Sequence, residues 1–167
     1  PAFKNLIFRA VPEVATQVAE IKTGGVDLIR EVSPDIIPEL KTHPIAYISS
    51  TPILRVHWVA LDMRSAPFDK KQVRQAANYA IDRVGICKNL LNDTCVPATG
   101  VAYKGHPWFG NPKETYEYNP TKAKELLKQA GFDGAAKRPA RAVALISTSG
   151  SGQMLPLAMN ELVQKNL

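Results

Sequence analysis

Between Pro67 and Ile81 the chain carries more helix-starting signals than anywhere else along its length. Asp69 can accept hydrogen bonds from the free N–H groups of a first helical turn, and Gln72, three residues on, completes a capping-box pattern. Phe68 and Val73 stand at the two positions of a hydrophobic staple. Val73, Ala76, Ala77, Ala80 and Ile81 then recur at helical spacing, so one stripe of this helix must be buried against another element. Ile86 and Leu90 belong to a second helix that opens near Asp82. A comparable signal stands at Asn119-Pro120, a capping residue followed by a first-turn proline. There the stripe is Ala123, Leu126, Leu127 and Ala130, and Gly131 sits where a left-handed stop belongs.

The N-terminal part reads differently. Asn5 to Val11, Val26 to Ile29, Ala46 to Ile53 and Arg55 to Leu61 are short segments rich in Leu, Ile, Val and aromatics and are expected as strands. Between them, Pro12 opens a helical run with Val14, Val18, Ala19 and Ile21 on one face, ending at Gly24-Gly25. Ser33 and Pro34 start a short helix that buries Ile37 and Leu40. Arg141 to Ser147 is a last strand, leading through a Ser/Gly-rich turn into a helix with Leu155, Met159, Leu162, Val163 and Leu167 on one face. Strands alternating with helices imply an α/β fold. Asp62 to Phe68 lacks periodicity and reads as a linker. Asn92 to Asn119 is a long Pro/Gly-punctuated loop whose packing Tyr103, Trp108, Phe109, Tyr116 and Tyr118 could supply.

Composition narrows the function class. The chain is 45% hydrophobic and 22% charged, which argues for a folded chain rather than disorder. No apolar run approaches the roughly 20 residues that cross a bilayer, and no secretory leader precedes the first strand. The chain begins at Pro1 rather than at a methionine and stops on Leu167 inside a helical pattern, as expected of a piece of a longer protein. The net charge of +6 lies wholly beyond residue 60, where Lys122, Lys124 and Lys128 alternate with acids such as Glu125. Mixed charge of that kind is a solvated face, so no nucleic-acid partner is expected.

His43, His57 and His106 have no metal-ligand spacing, so no metal site is expected, and no cofactor motif is present. No serine or cysteine stands in a nucleophile setting. Cys87 and Cys95 are the only cysteines, and a bridge between them is geometrically possible in an oxidising compartment. Read alone, Cys87 is equally a buried thiol of its helix. The turn from Ser147 to Gln153 could present backbone N–H groups to an anion, although its spacing matches neither a phosphate loop nor a dinucleotide fingerprint. From the residues alone a plain solvated turn is the simpler reading.

Four stretches, in order and spanning almost the whole chain, resemble the family-5 extracellular solute-binding proteins of ABC importers, which include dipeptide, oligopeptide, glutathione and nickel binders. They are FRAVPEVATQVAEIKTGGVDLI, PFDKKQVRQAANYAIDR, VPATG, and YEYNPTKAKELLKQAGF. The sequence departs from the pattern at Asp62, where asparagine is usual, and at Lys70-Lys71, which replace an acidic residue and its neighbour. The resemblance implies a periplasmic-binding-protein-like, two-lobed Venus-flytrap fold of which this chain holds only parts. Residues 1–61 would belong to the lobe carrying the termini, 62–68 would run near the hinge, and 69–167 would begin the second large lobe. It further implies a non-enzymatic, extracytoplasmic or periplasmic protein, monomeric at full length, that is membrane-associated through its importer. Such a protein captures a peptide-like solute between its lobes and delivers it to an ABC permease. Arg55, His57, Trp58, Ser147, Thr148, Ser149, Gly150 and Gln153 match regions that approach the cleft and are the expected ligand contacts. Rival readings are a nickel-chelate or glutathione binder of the same family, an α/β hydrolase or transferase domain, and a nucleic-acid module.

Overall fold

Gly24 and Gly131 end their helices in the left-handed region, at φ 76° and 88°, a backbone region that a side chain with a Cβ resists. The computed structural model describes residues 2–51, 53–132, 141–146 and 154–167. These contain α1 (Val14–Thr23), α2 (Ile37–Lys41), α3 (Lys71–Ala80), α4 (Arg83–Gly85, running on as one π-turn over Ile86–Leu90), α5 (Pro120–Gln129) and α6 (Pro156–Asn166). The chain divides into two compact units, residues 1–49 and 50–167. No described helix is long and apolar enough to cross a membrane.

In the first unit α1 is the organising element. Gln17 Nε2 donates to the Val11 carbonyl at 2.7 Å, and Arg9 holds Glu20 with two bonds of 3.1 Å, so α1 pins the preceding extended arm. Lys22 pairs with Glu39 of α2. Val18, Ile37, Leu40 and Pro34 form the small buried interior. Pro34 is not the first helical residue as expected. The Ile36 N–H donates to the Ser33 carbonyl, which closes a turn, and the helix begins only at Ile37. Likewise Pro12 lies ahead of α1, whose first bond runs from Gln17 N to the Glu13 carbonyl.

The second unit is built on α3 against α5. Ala76, Ala80 and Ala123 are buried at the contact, flanked by Tyr79, Leu126 and Leu127. The Asn119 N–H donates to the Tyr79 carbonyl at 2.8 Å, while Asn119 Oδ1 accepts from the Lys122 N–H at 2.9 Å. The cap of α5 is thus tied to the end of α3. At its other end α5 closes in a Schellman motif, with Phe132 N donating to Leu127 O and Gly131 N to Lys128 O. Lys70 Nζ adds a bond of 2.7 Å to the Ala130 carbonyl and lies 5.0 Å from the centre of the Phe132 ring. Asp82 Oδ1 accepts from the Gly85 N–H and opens α4, and the Asp82 N–H donates to Asn166 of α6. Cys87 and Cys95 are joined by a disulfide with a Cα–Cα distance of 5.3 Å.

Two further expectations are corrected. The capping box at Asp69 does not form: the cap position is Lys70, without a side-chain cap bond. Instead the Asp69 N–H donates to the Ser65 carbonyl, and Arg74 Nη1 takes the Phe68 and Asp69 carbonyls at 2.7 and 3.0 Å. The Phe68 and Asp69 carbonyls of the 65–70 turn are thereby satisfied by the turn's own helix, and the helix starts one residue later. Nor do Asn5 to Val11, Val26 to Ile29, Ala46 to Ile53, Arg55 to Leu61 or Arg141 to Ile146 form strands among the described residues. A strand is defined by its partner, and none of these segments has a ladder to join here. Their apolar side chains are accordingly exposed, Ile7 by 81% and Leu145 by 99%.

Two measurements test the local accounts. Asn119→Ala should lower the unfolding free energy by about 1 kcal/mol, read from denaturant titration. An unchanged midpoint would remove the cap from the account. Alkylation under denaturing, non-reducing conditions should label neither cysteine in material folded in an oxidising compartment, and two labels there would refute the bridge.

Candidate functional site

The expected ligand contacts Arg55, His57 and Trp58 stand on an extended stretch held at its start by a bond from Arg55 N to Ile53 O. All three are exposed, Trp58 by 76%. The His57 imidazole is held below its ordinary pKa, first by partial shielding from water and second by the Arg55 cation. It is therefore favoured as the neutral, donor-and-acceptor form. Ser147, Thr148, Ser149, Gly150 and Gln153 lie outside the described residues. Among the described residues, no three His, Cys, Asp or Glu side chains gather as a metal site would require.

The stretch continues to Leu61, which enters a feature that the sequence reading missed. Leu61, Met63, Lys71, Arg74, Gln75, Asn78 and Tyr116 line an open cavity of 390 Å³. Lys71, Arg74, Gln75 and Asn78 follow one another at helical spacing on α3, on a different face from Ala76 and Ala80. That i, i+3, i+4, i+7 polar stripe was the available signal, overshadowed by the apolar one. The walls are fixed by bonds of their own. Asp62 accepts from the N–H and Nε of Arg64 and from Ser65 Oγ, and the Arg64 contacts hold its carboxyl below the usual range. Arg83 donates to the Asn78 and Tyr116 carbonyls, and burial lowers its own pKa. Tyr116 meets Tyr79 edge-to-face at 5.0 Å.

A second depression of 320 Å³ lies among Tyr79, Thr115, Glu117, Tyr118, Asn119 and Lys122. Lys122 fills part of its rim, bonded to the Tyr79 hydroxyl at 2.8 Å. Elsewhere in the long loop, Tyr103, His106 and Trp108 form an edge-to-face series with ring centres 5.3 Å apart. The Trp108 N–H donates to His106 Nδ1, yet the indole is 85% exposed. This part of the loop is not its own core, whereas Tyr116 does pack inward as expected.

The sequence model described as bacterial extracellular solute-binding proteins, family 5 Middle, matches residues 1–167. The chain belongs to this family. Heme-binding protein A of Haemophilus influenzae is 31% identical over 128 residues, covering 77% of this chain and 23% of its own. Glutathione-binding protein GsiB of Escherichia coli is 28% identical over 132 residues, covering 79% of this chain and 26% of its own. The chain thus spans about a quarter of the length of these curated relatives. Among solved structures, NikA from Brucella suis in complex with Fe(III)-EDTA aligns with a TM-score of 0.68 at 22% identity, over 93% of this chain and 33% of NikA. The periplasmic binding protein DppA from Helicobacter pylori in complex with peptide STSA aligns at 0.62 and 24%, over 75% of this chain and 24% of DppA. The described elements therefore have the periplasmic-binding-protein fold of these structures.

The His57 environment makes a pH prediction. Because the folded-state pKa is lowered, the unfolded chain takes up the proton first as pH falls. Folding is then penalised below the ordinary histidine range and unaffected at neutral pH. In NMR titration the His57 ring should have a midpoint below that of an unfolded histidine. Arg55→Gln should raise it by less than the remaining deficit, because shielding is the larger cause. A midpoint that returns fully to the unfolded value in Arg55→Gln would contradict that order.

Proposed function

We propose that this chain is part of the extracytoplasmic, periplasmic solute-binding component of an ABC importer, which captures a peptide-like solute and delivers it to the membrane permease. The observation that carries this reading is the family match over all 167 residues. It is supported by the fold shared with a protein whose structure holds the peptide STSA. Solute capture is a binding task, so the protein is not an enzyme. Its membrane association runs through the importer, and the full-length protein acts as a monomer with no nucleic-acid partner.

In this reading the chain supplies parts of two lobes of an α/β protein, residues 1–61 and 69–167, joined near the hinge by 62–68. The extended apolar segments become strands when the rest of each sheet pairs with them, which accounts for residues such as Ile7 and Leu145 being exposed here. Arg55, His57 and Trp58 contact the solute from one wall. Their exposure and the neutral His57 suit a ligand with both a carboxylate end and peptide groups. Ser147, Thr148, Ser149, Gly150 and Gln153 contribute backbone and hydroxyl donors from the other. A glutathione binder is the second reading, favoured by the relative of that name, since glutathione is itself peptide-like.

Native mass spectrometry of the full-length protein, purified without denaturation, should reveal a retained small solute. Calorimetry with di- to pentapeptides and with glutathione should then give micromolar binding. The 167-residue chain alone should bind the same ligands no tighter than about millimolar, since a few water-exposed hydrogen bonds fall far short of the roughly 8 kcal/mol of micromolar affinity. No adduct together with no isotherm for the full-length protein would overturn the peptide reading. A micromolar isotherm for the short chain would overturn the two-walled site.

A further inference from the structure

We propose that the cavity along α3 is a binding site for small carboxylates that carry an apolar body. Its lining includes none of the solute contacts Arg55, His57 and Trp58, and the proposal does not rest on them. Its lining has two cations, Lys71 and Arg74, and no acid. Among the described residues the Lys71 ammonium and the Gln75 amide make no side-chain hydrogen bond or ion pair. Arg74 is engaged through Nη1 with the Phe68 and Asp69 carbonyls. That anchorage fixes the guanidinium without neutralising it, because both partners are uncharged.

The carboxylates that could compete stand outside the lining. Asp62 is taken by Arg64, and Glu114 accepts from the Tyr116 hydroxyl at 3.3 Å. In the same lining, Leu61 and Met63 offer apolar surface, with Met63 62% exposed. Gln75 and Asn78 are the amides of the lining, and Asn78 Nδ2 already donates to the Arg74 carbonyl at 3.0 Å. The walls are preorganised by bonds that a ligand need not form, from Arg64 to Asp62 and from Arg83 to Asn78 and Tyr116. A cavity of 390 Å³ falls at the lower end of the range of small-molecule pockets, about 300–1,000 Å³. The fitting ligand is therefore short: one carboxylate across Lys71 and Arg74, and a chain of a few carbons against Leu61 and Met63.

Hexanoate and its neutral isostere hexanamide test this on isotopically labelled intact protein, with the amide shifts of Lys71, Gln75 and Asn78 as the readout. Hexanoate should produce saturable shifts at these residues with a dissociation constant of about a millimolar. Hexanamide should bind about fivefold more weakly, the effect of one exposed ion pair. Lys71→Gln should narrow the gap between hexanoate and hexanamide, the remainder being owed to Arg74, while leaving hexanamide and the core shifts of Ala76 and Ala123 unchanged. If that variant fails to fold, added salt is the second arm: it should weaken hexanoate and spare hexanamide in the unaltered protein. Equal affinity for acid and amide, insensitivity to both Lys71→Gln and salt, or saturable shifts confined to other residues would each overturn the proposal.

Discussion

The close approach of α3 to α5 at Ala76, Ala80 and Ala123 is the constraint on which the second unit depends. Side chains of one carbon leave room for two helix backbones to come together, and dispersion between the flanking Tyr79, Leu126 and Leu127 then fills the sides. Everything that binds these helices at their ends presupposes that approach. Asn119 can cap α5 with its side chain and donate its N–H to Tyr79 only because the end of α3 is beside it. Lys70 can reach the Ala130 carbonyl only because the start of α3 lies at the end of α5. The polar stripe of α3 is presented to the Leu61–Met63 segment by the same constraint, since the apolar stripe has settled which way the helix faces.

Lys70 also explains one departure from the family pattern. An acid at this position would place a negative charge near the carbonyl end of α5, where the helix dipole is itself negative. The lysine instead donates to the last-turn carbonyl and covers the Phe132 ring. Lys122 does the equivalent on Tyr79, at 4.4 Å from the ring centre. Together with Arg74 and Arg83, these cations serve carbonyls and aromatic rings within the unit, so part of the positive excess beyond residue 60 is structural.

Four helix ends were legible in the sequence because the deciding interaction is local. Asn119, Asp82, Gly24 and Gly131 act within four residues of themselves, and the structure places each where its chemistry puts it. Asp69 had the same local credentials and does not cap. Its N–H is spent on the Ser65 carbonyl in a turn whose Phe68 and Asp69 carbonyls Arg74, five residues on in α3, holds, and this turn carries the chain one residue further before the helix begins. The expected strands are missing from the described residues for a different reason. Apolar density gives a segment such as Asn5 to Val11 its extended backbone, but pairing is a property of two segments, and one sequence window contains only half of it.

The candidate site divides along the same line. Arg55 and His57 could be listed together because they are two residues apart on one stretch, and the Arg55 cation adds to the shielding that lowers the imidazole pKa. The α3 cavity could not, because Leu61 and Tyr116 are far apart in sequence and meet only once Arg83 holds the Tyr116 carbonyl. What the sequence did contain was half of that site, the stripe of Lys71, Arg74, Gln75 and Asn78. An amphipathic helix is usually read for the face that it buries, on the assumption that the polar face meets only water. Here the polar face lines a cavity together with Leu61, Met63 and Tyr116. It therefore carries information about binding, whereas the alanine face carries information about the fold.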